Sequence, residues 1–229
     1  MARLIPKISI DEIPLKPERD VAKVLIEELP QDCIVYHSYS WLSADHNKRE
    51  KKDTLHEGEA DFVVIHPEYG FLVIEVKGGH VEFDSENHLW FRINSQGQKK
   101  QITDPFEQAR KNTYYFKNKI QKISFPDQQS LSFCYGYAVI LPDCEFSGQP
   151  PPAADRSIIL SANDLPFLGR RVQEIFKKWE RQSDRGRLSK IELNGILKGL
   201  SPSFNILPVL YRSIEEQEER ENGGEIMSH

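Results

Sequence analysis

Residues 59–77, EADFVVIHPEYGFLVIEVK, constrain this chain more than any other segment. Two runs rich in Val, Ile and Phe, 59–65 and 71–77, flank His66-Pro67-Glu68-Tyr69-Gly70, a turn with Pro and Gly where turns use them. A turn symmetric about Glu68 sets Ile65 opposite Phe71. Side chains alternate along a strand, so Val63, Ile65, Phe71 and Val73 share one face and Phe62, Val64, Leu72 and Ile74 the other. Both faces are apolar, and such strands need cover on both sides.

The flanking segments supply that cover. Residues 17–29 predict a helix, with Pro17 at a first helical position, Glu18 and Asp20 near its positive end, and Val21, Ala22, Leu25 and Leu29 on one face. Residues 33–39 predict a strand. Residues 43–58 are polar, include the run His46 to Lys52, and read as a loop. Residues 80–83 and 89–92, with Trp90, predict a second hairpin. Asp104-Pro105-Phe106-Glu107 predicts a helix start of capping-box type, with Phe106, Ala109, Thr113, Phe116, Ile120 and Ile123 on the buried face. A core strand follows at 131–141, a proline-containing loop at 142–156 and a short strand at 157–160. Helices are expected at about 163–181, 188–199 and 208–220, with a frayed end at 222–229. The fold class is therefore α/β, a mixed central β-sheet flanked by helices. Two parts are expected: 1–160 as the principal domain, and 161–229 as a helical C-terminal extension for contact with a partner.

Composition narrows the setting. The chain has 229 residues, of which 38% are apolar and 28% charged, the balance of a globular protein. Cys33, Cys134 and Cys144 are too few and too scattered for a disulfide framework or a zinc cluster, so a reducing, cytoplasmic location is expected. The first 20 residues lack a signal-peptide run, and no stretch approaches the ~20 apolar residues of a membrane span. No GK[ST] phosphate loop occurs, which argues against an intrinsic ATPase. The net charge of −5 means that any nucleic-acid contact must come from clustered cations, metal ions or a partner.

The hairpin also carries the chemistry. By the same count Asp61 faces Glu75 and Glu59 faces Lys77, so four charges share a face. Opposed Cβ atoms lie about 5 Å apart, and two carboxylates at that separation repel unless a cation sits between them. A divalent ion with oxygen ligands, Mg²⁺ or Mn²⁺, meets that need. Lys77, two residues beyond Glu75, reaches the same place and can orient a water or offset charge on phosphorus. Two solvated charge pairs on a surface hairpin would be the plainer reading. His37, His56, His66, His80 and His88 show no zinc spacing.

Asp61 followed by Glu75-Val76-Lys77 matches the D…(D/E)xK signature of PD-(D/E)XK phosphodiesterases. Gly58-Glu59-Ala60-Asp61-Phe62, His66-Pro67, Ile74-Glu75-Val76-Lys77-Gly78-Gly79, Trp90 and Asp104 to Arg110 together resemble the nuclease-related domain over roughly residues 15–142. The resemblance implies a restriction-endonuclease-like core and Mg²⁺- or Mn²⁺-dependent hydrolysis of DNA. Asp61, Glu75 and Glu18 would be the metal ligands, and Lys77 and Gln108 would complete the catalytic set. Compensation of the helix dipole by Glu18, and a plain surface role for Gln108, stay open beside this. Leu207 to Glu216 resembles the segment that precedes a superfamily 1 helicase in fused relatives, which implies a separate helicase or ATPase partner in DNA processing or antiviral defence. Formation of a homo-oligomer stays open. The rival reading is a nuclease-like DNA-binding or assembly module that does not cut.

Overall fold

The computed structural model describes residues 1–47, 52–94, 96–152, 154–180 and 188–201. Among the described residues nine strands and four α-helices run in the order β1 (Arg3–Ile5), α1 (Lys16–Glu28), β2 (Ile34–Asn47), β3 (Lys52–His66), β4 (Gly70–Val76), β5 (His80–Asp84), β6 (Leu89–Ile93), β7 (Lys99–Ile102), α2 (Pro105–Ser124), β8 (Cys134–Leu141), β9 (Ile159–Ser161), α3 (Leu168–Glu180) and α4 (Lys190–Leu200). Six strands form one mixed sheet in the order β1-β2-β3-β4-β8-β9, and β5-β6-β7 form a small second sheet. This is the mixed α/β architecture expected, with β4 central and all seven of its residues buried.

The two apolar faces of the β3–β4 hairpin enter two different cores. Phe62, Val64, Leu72 and Ile74 pack with Val21, Ala22 and Leu25 of α1 and with Val172 and Phe176 of α3. Val63, Ile65, Phe71 and Val73 pack with Phe116 and Ile120 of α2 and with Ile196 and Leu200 of α4. Helices therefore cover both faces, as two-sided strands require. The C-terminal helices belong to these layers: Glu28 accepts from Gly169 N at 2.7 Å, and Ser124 Oγ donates to Gly195 O at 2.7 Å.

Several expectations need correction. Much of 43–58 is strand, not loop: β2 and β3 stay paired from Ile34↔Ile65 out to Asn47↔Lys52, with residues 48–51 of the charge run outside the described residues. This ribbon escapes hydrophobic periodicity because it extends beyond the sheet, where Leu42 and Leu55 are 61% and 65% exposed. Lys99–Ile102 adds a third strand to the second hairpin, and β1 pairs parallel to β2. The strand at 131–141 begins only at Cys134, and α3 is preceded by a 3₁₀ turn, Ala162–Phe167, that contains Pro166. Ile123 is 37% exposed, so the buried face of α2 ends at Ile120. The helix expected at 208–220 and the frayed end lie outside the described residues. All three cysteines are free, and no described helix is long and apolar enough to cross a membrane.

At the start of α2, Asp104 accepts from Phe106 N and Glu107 N. Asp104→Ala is expected to cost about 1 kcal/mol, the usual worth of an N-cap. In a thermal melt of a chain this size that lowers Tm by roughly 2–4 °C. An unchanged melt would show the cap to be idle.

Candidate active site

The β3–β4 ladder runs from His66↔Gly70 to Phe62↔Ile74 and stops there. The next pair on the same register is Asp61 with Glu75, so the two carboxylates stand where the strands part. Val76 N donates to Asp61 Oδ2 at 2.7 Å, a side-chain acceptor taking the place of a backbone carbonyl. On the other side of β3 the ladder also skips a pair: Ser38, opposite Asp61, has φ 50°, between the pairs His37↔Phe62 and Tyr39↔Ala60. Left-handed backbone at a non-glycine residue is strained, and such strain clusters at functional sites.

Glu75 is fully buried. Its Oε1 accepts from Lys77 Nζ at 2.5 Å, whereas its Oε2 has no hydrogen-bond partner. Residues 75 and 77 share a face through strand alternation, which makes this short contact natural. Burial, reinforced by the charge of Asp61 and opposed by Lys77, pushes the Glu75 carboxyl up to about 8. Burial also pushes Asp61 up to about 6, with Val76 N and Lys77 pulling down and Glu18 pushing up. Asp61 raises Glu75 whereas Glu75 lowers Asp61, the pattern of two acids that compete for one proton.

One lysine stands against a fully buried and a half-buried carboxyl group, and one oxygen of the buried one is orphaned. That donor set suits a hard divalent cation such as Mg²⁺ or Mn²⁺, which commonly takes one or two carboxylates and completes its shell with water and phosphate. Among the described residues no three His, Cys, Asp or Glu converge as a ready-made cage. Glu18 lies beside the pair: its charge acts on Asp61, while its Oε2 is 2.8 Å from His37 Nε2.

A sequence profile described as the nuclease-related domain matches residues 14–141. The chain belongs to the nuclease-related domain family. No curated protein and no solved structure matches the chain. The nuclease-related domain, so bounded, runs from just before α1 to the end of β8 and contains Glu18, Asp61, Glu75, Lys77 and Gln108. Its mixed sheet with helices on both faces is consistent with a restriction-endonuclease-like fold, and membership points to a nuclease-like function.

Within the nuclease-related domain, Gln108 lines a groove between the β2–β3 ribbon and α2, together with Lys111 and the acids Glu57, Glu59 and Glu107; Asp61, Glu75 and Lys77 do not line it, so Gln108 is not brought against the carboxylates. Trp41 forms part of that groove, stacked 4.0 Å from Tyr115 with its Nε1 bonded to Asn112 Oδ1. Asn112 in turn donates to Glu59 O at 2.7 Å, fixing α2 against β3. The expected Glu59–Lys77 pair does not form: Ser38 Oγ donates to Glu59 Oε1 at 2.6 Å, and Lys77 turns to Glu75. The strands have separated before that register is reached.

His37, set aside in the sequence for lack of zinc spacing, is buried against Phe62 and holds Glu18. Its even spacing with Val35 on β2 was the available signal. His66 is structural, packed between Tyr69 and Phe176. His80 opens β5 and is exposed.

Proposed function

We propose that this nuclease-related domain hydrolyses DNA phosphodiester bonds with Mg²⁺ or Mn²⁺ held by Asp61 and Glu75. The observation that carries the reading is the buried Glu75 carboxylate with an unpartnered oxygen, placed against Asp61 and reached by Lys77. The cation, when bound, would polarise a phosphate oxygen and make a coordinated water more acidic.

The chain's own groups do the rest. Lys77 Nζ has three protons and donates one to Glu75, which leaves donors for the attacking water or a phosphate oxygen. Glu18, steadied by His37, adds negative charge beside Asp61 that would favour a cation there. Hydrolysis adds water across a P–O bond, leaving a phosphomonoester and a free hydroxyl.

The segment 161–229 is proposed to meet a separate helicase or ATPase in the cytoplasm, in DNA processing or antiviral defence. Phe167, 54% exposed, and Ile191, 79% exposed, lie on that part. The net charge of −5 and the resemblance of Leu207 to Glu216 to a helicase-preceding segment favour the second reading, a module that holds DNA without cutting.

Incubation of the full chain with linear and supercoiled DNA separates the two. Cleavage is expected in about 5 mM Mg²⁺ or Mn²⁺ and none in EDTA, since a Mg²⁺ site built on one or two carboxylates must be filled from solution. Equal cleavage in EDTA would sink the metal assignment, and binding with no cleavage in either metal would leave the second reading.

A further inference from the structure

Helix α2 carries five cations, Arg110, Lys111, Lys117, Lys119 and Lys122, against one acid, Glu107. That is a net +4 on one helix, so the rest of the chain carries −9 to reach the −5 of the whole. Helix α1, by contrast, has three cations and four acids. Some lysines and arginines elsewhere are tied to carboxylates, as in Lys16–Asp20, Lys99–Glu82, Arg171–Asp164 and Lys178–Asp155, while others, such as Lys23, Lys177 and Lys190, carry no such tie to another described residue. No α2 cation is in an ion pair with another described residue. Like charges gathered on one helix cost stability, a cost that a polyanion removes.

The placement is directional. The buried face of α2 runs through Ala109, Thr113, Phe116 and Ile120. Helical spacing sets Arg110, Tyr114 and the half-exposed Lys117 in one row along a flank of the helix, and turns Lys111 and Lys122 straight out to solvent. Tyr114 is 53% exposed, and Arg110, Lys111 and Lys122 are exposed. Lys119 lies on the flank toward β2, over the rings of Tyr39 and Tyr115. From Arg110 to Lys122 the helix rises about 18 Å, or roughly five base steps along a strand. Its first turns border a groove of about 290 Å³ that Lys111 shares with three acids, Glu57, Glu59 and Glu107, so the cations available to a polyanion lie on the helix outside that groove.

We propose that the solvent side of α2 is the DNA backbone track, with Arg110, Lys111 and Lys117 holding phosphates of a strand that crosses the N-terminal half of the helix on its way to the carboxylates. The identity of the polyanion rests on the nuclease reading; the track itself rests on charge and geometry. It accounts for how an acidic chain holds nucleic acid: the cations are concentrated on one element instead of spread over the surface.

The test titrates the full chain into a fluorescent 30-base-pair duplex in EDTA, so that cleavage plays no part. The R110Q/K111Q/K117Q variant is expected to bind at least about 10-fold more weakly near 100 mM salt, with the log Kd against log salt slope reduced by roughly 2–3. The K23Q/K177Q/K190Q variant removes as many cations, all of them exposed, from α1, α3 and α4 and is expected to change binding less than about 3-fold. Equal losses in both variants, or unchanged binding in the first, overturn the track. If the triple variant melts differently, each single replacement should still lower the slope by about 0.9, and a flat response of all three overturns it as well. Weakened binding in a chain that never cuts in Mg²⁺ or Mn²⁺ keeps the track and removes the nuclease reading; cleavage with binding indifferent to α2 does the reverse.

Discussion

Asp61→Asn is expected to lower DNA cleavage by about 1,000-fold or more, because it removes one of the two charges that hold the cation while keeping the shape of the side chain. The amide oxygen can still accept from Val76 N, so the bend at the end of the β3–β4 ladder should survive. A melt matching the parent's, with binding to DNA in EDTA retained, would separate lost chemistry from lost fold. Lys77→Met is expected to cost roughly 100–1,000-fold, the usual range for one preorganised donor. It carries a second signature. Lys77 lowers the Glu75 carboxyl, so without it Glu75 holds its proton to higher pH, and the rising limb of the pH–rate profile should move alkaline. Parental rates in either variant would remove these residues from the catalytic set.

Glu75→Gln is expected to make the metal-free protein more stable at alkaline pH while abolishing cleavage. Glu75 is raised to about 8 and Asp61 to about 6, both above their unfolded values near 4. The folded chain therefore keeps protons that the unfolded chain releases. Stability from this source is fully present below pH ~4 and is lost as pH rises through the folded values, between about 4 and 8. Gln cannot ionise and removes the larger part of that loss. At pH 8–9 the gain should be of the order of 2–4 kcal/mol, or roughly 5–15 °C in Tm, shrinking toward zero near pH 4. Millimolar Mg²⁺ should raise the melt of the parent at pH 8 and leave that of the variant unmoved. A variant destabilised alike at pH 5 and pH 9 would mean that Glu75 contributes mainly through its bond to Lys77.

Much of this was legible in the chain. The Ile65–Phe71 register follows from a five-residue turn with Pro and Gly, and the two apolar faces it defines enter the two cores. The start of α2 was readable because Asp104 and Pro105 are strong local signals. What escaped lacks a periodic pattern. The outer β2–β3 ribbon extends beyond the sheet, so alternation gives no sign of it. The strand Lys99–Ile102 is KKQI, three polar residues exposed on a small sheet. The partner of Lys77 was misassigned because a register count assumes that pairing continues, whereas β3 and β4 separate at Asp61. The His37–Glu18 bond joins α1 to the neighbouring strand β2 across two layers, and spacing in one sequence does not report it.

The separation of β3 from β4 bears on how such a domain can decay over generations. Asp61 serves the backbone as well as the chemistry, since Val76 N depends on it, whereas Glu75 is a folding burden when no metal is present. A descendant released from selection for cutting should therefore lose its acid at 75 early and keep Asp or Asn at 61. The order of loss among idle copies would record which of the two residues the architecture itself needs.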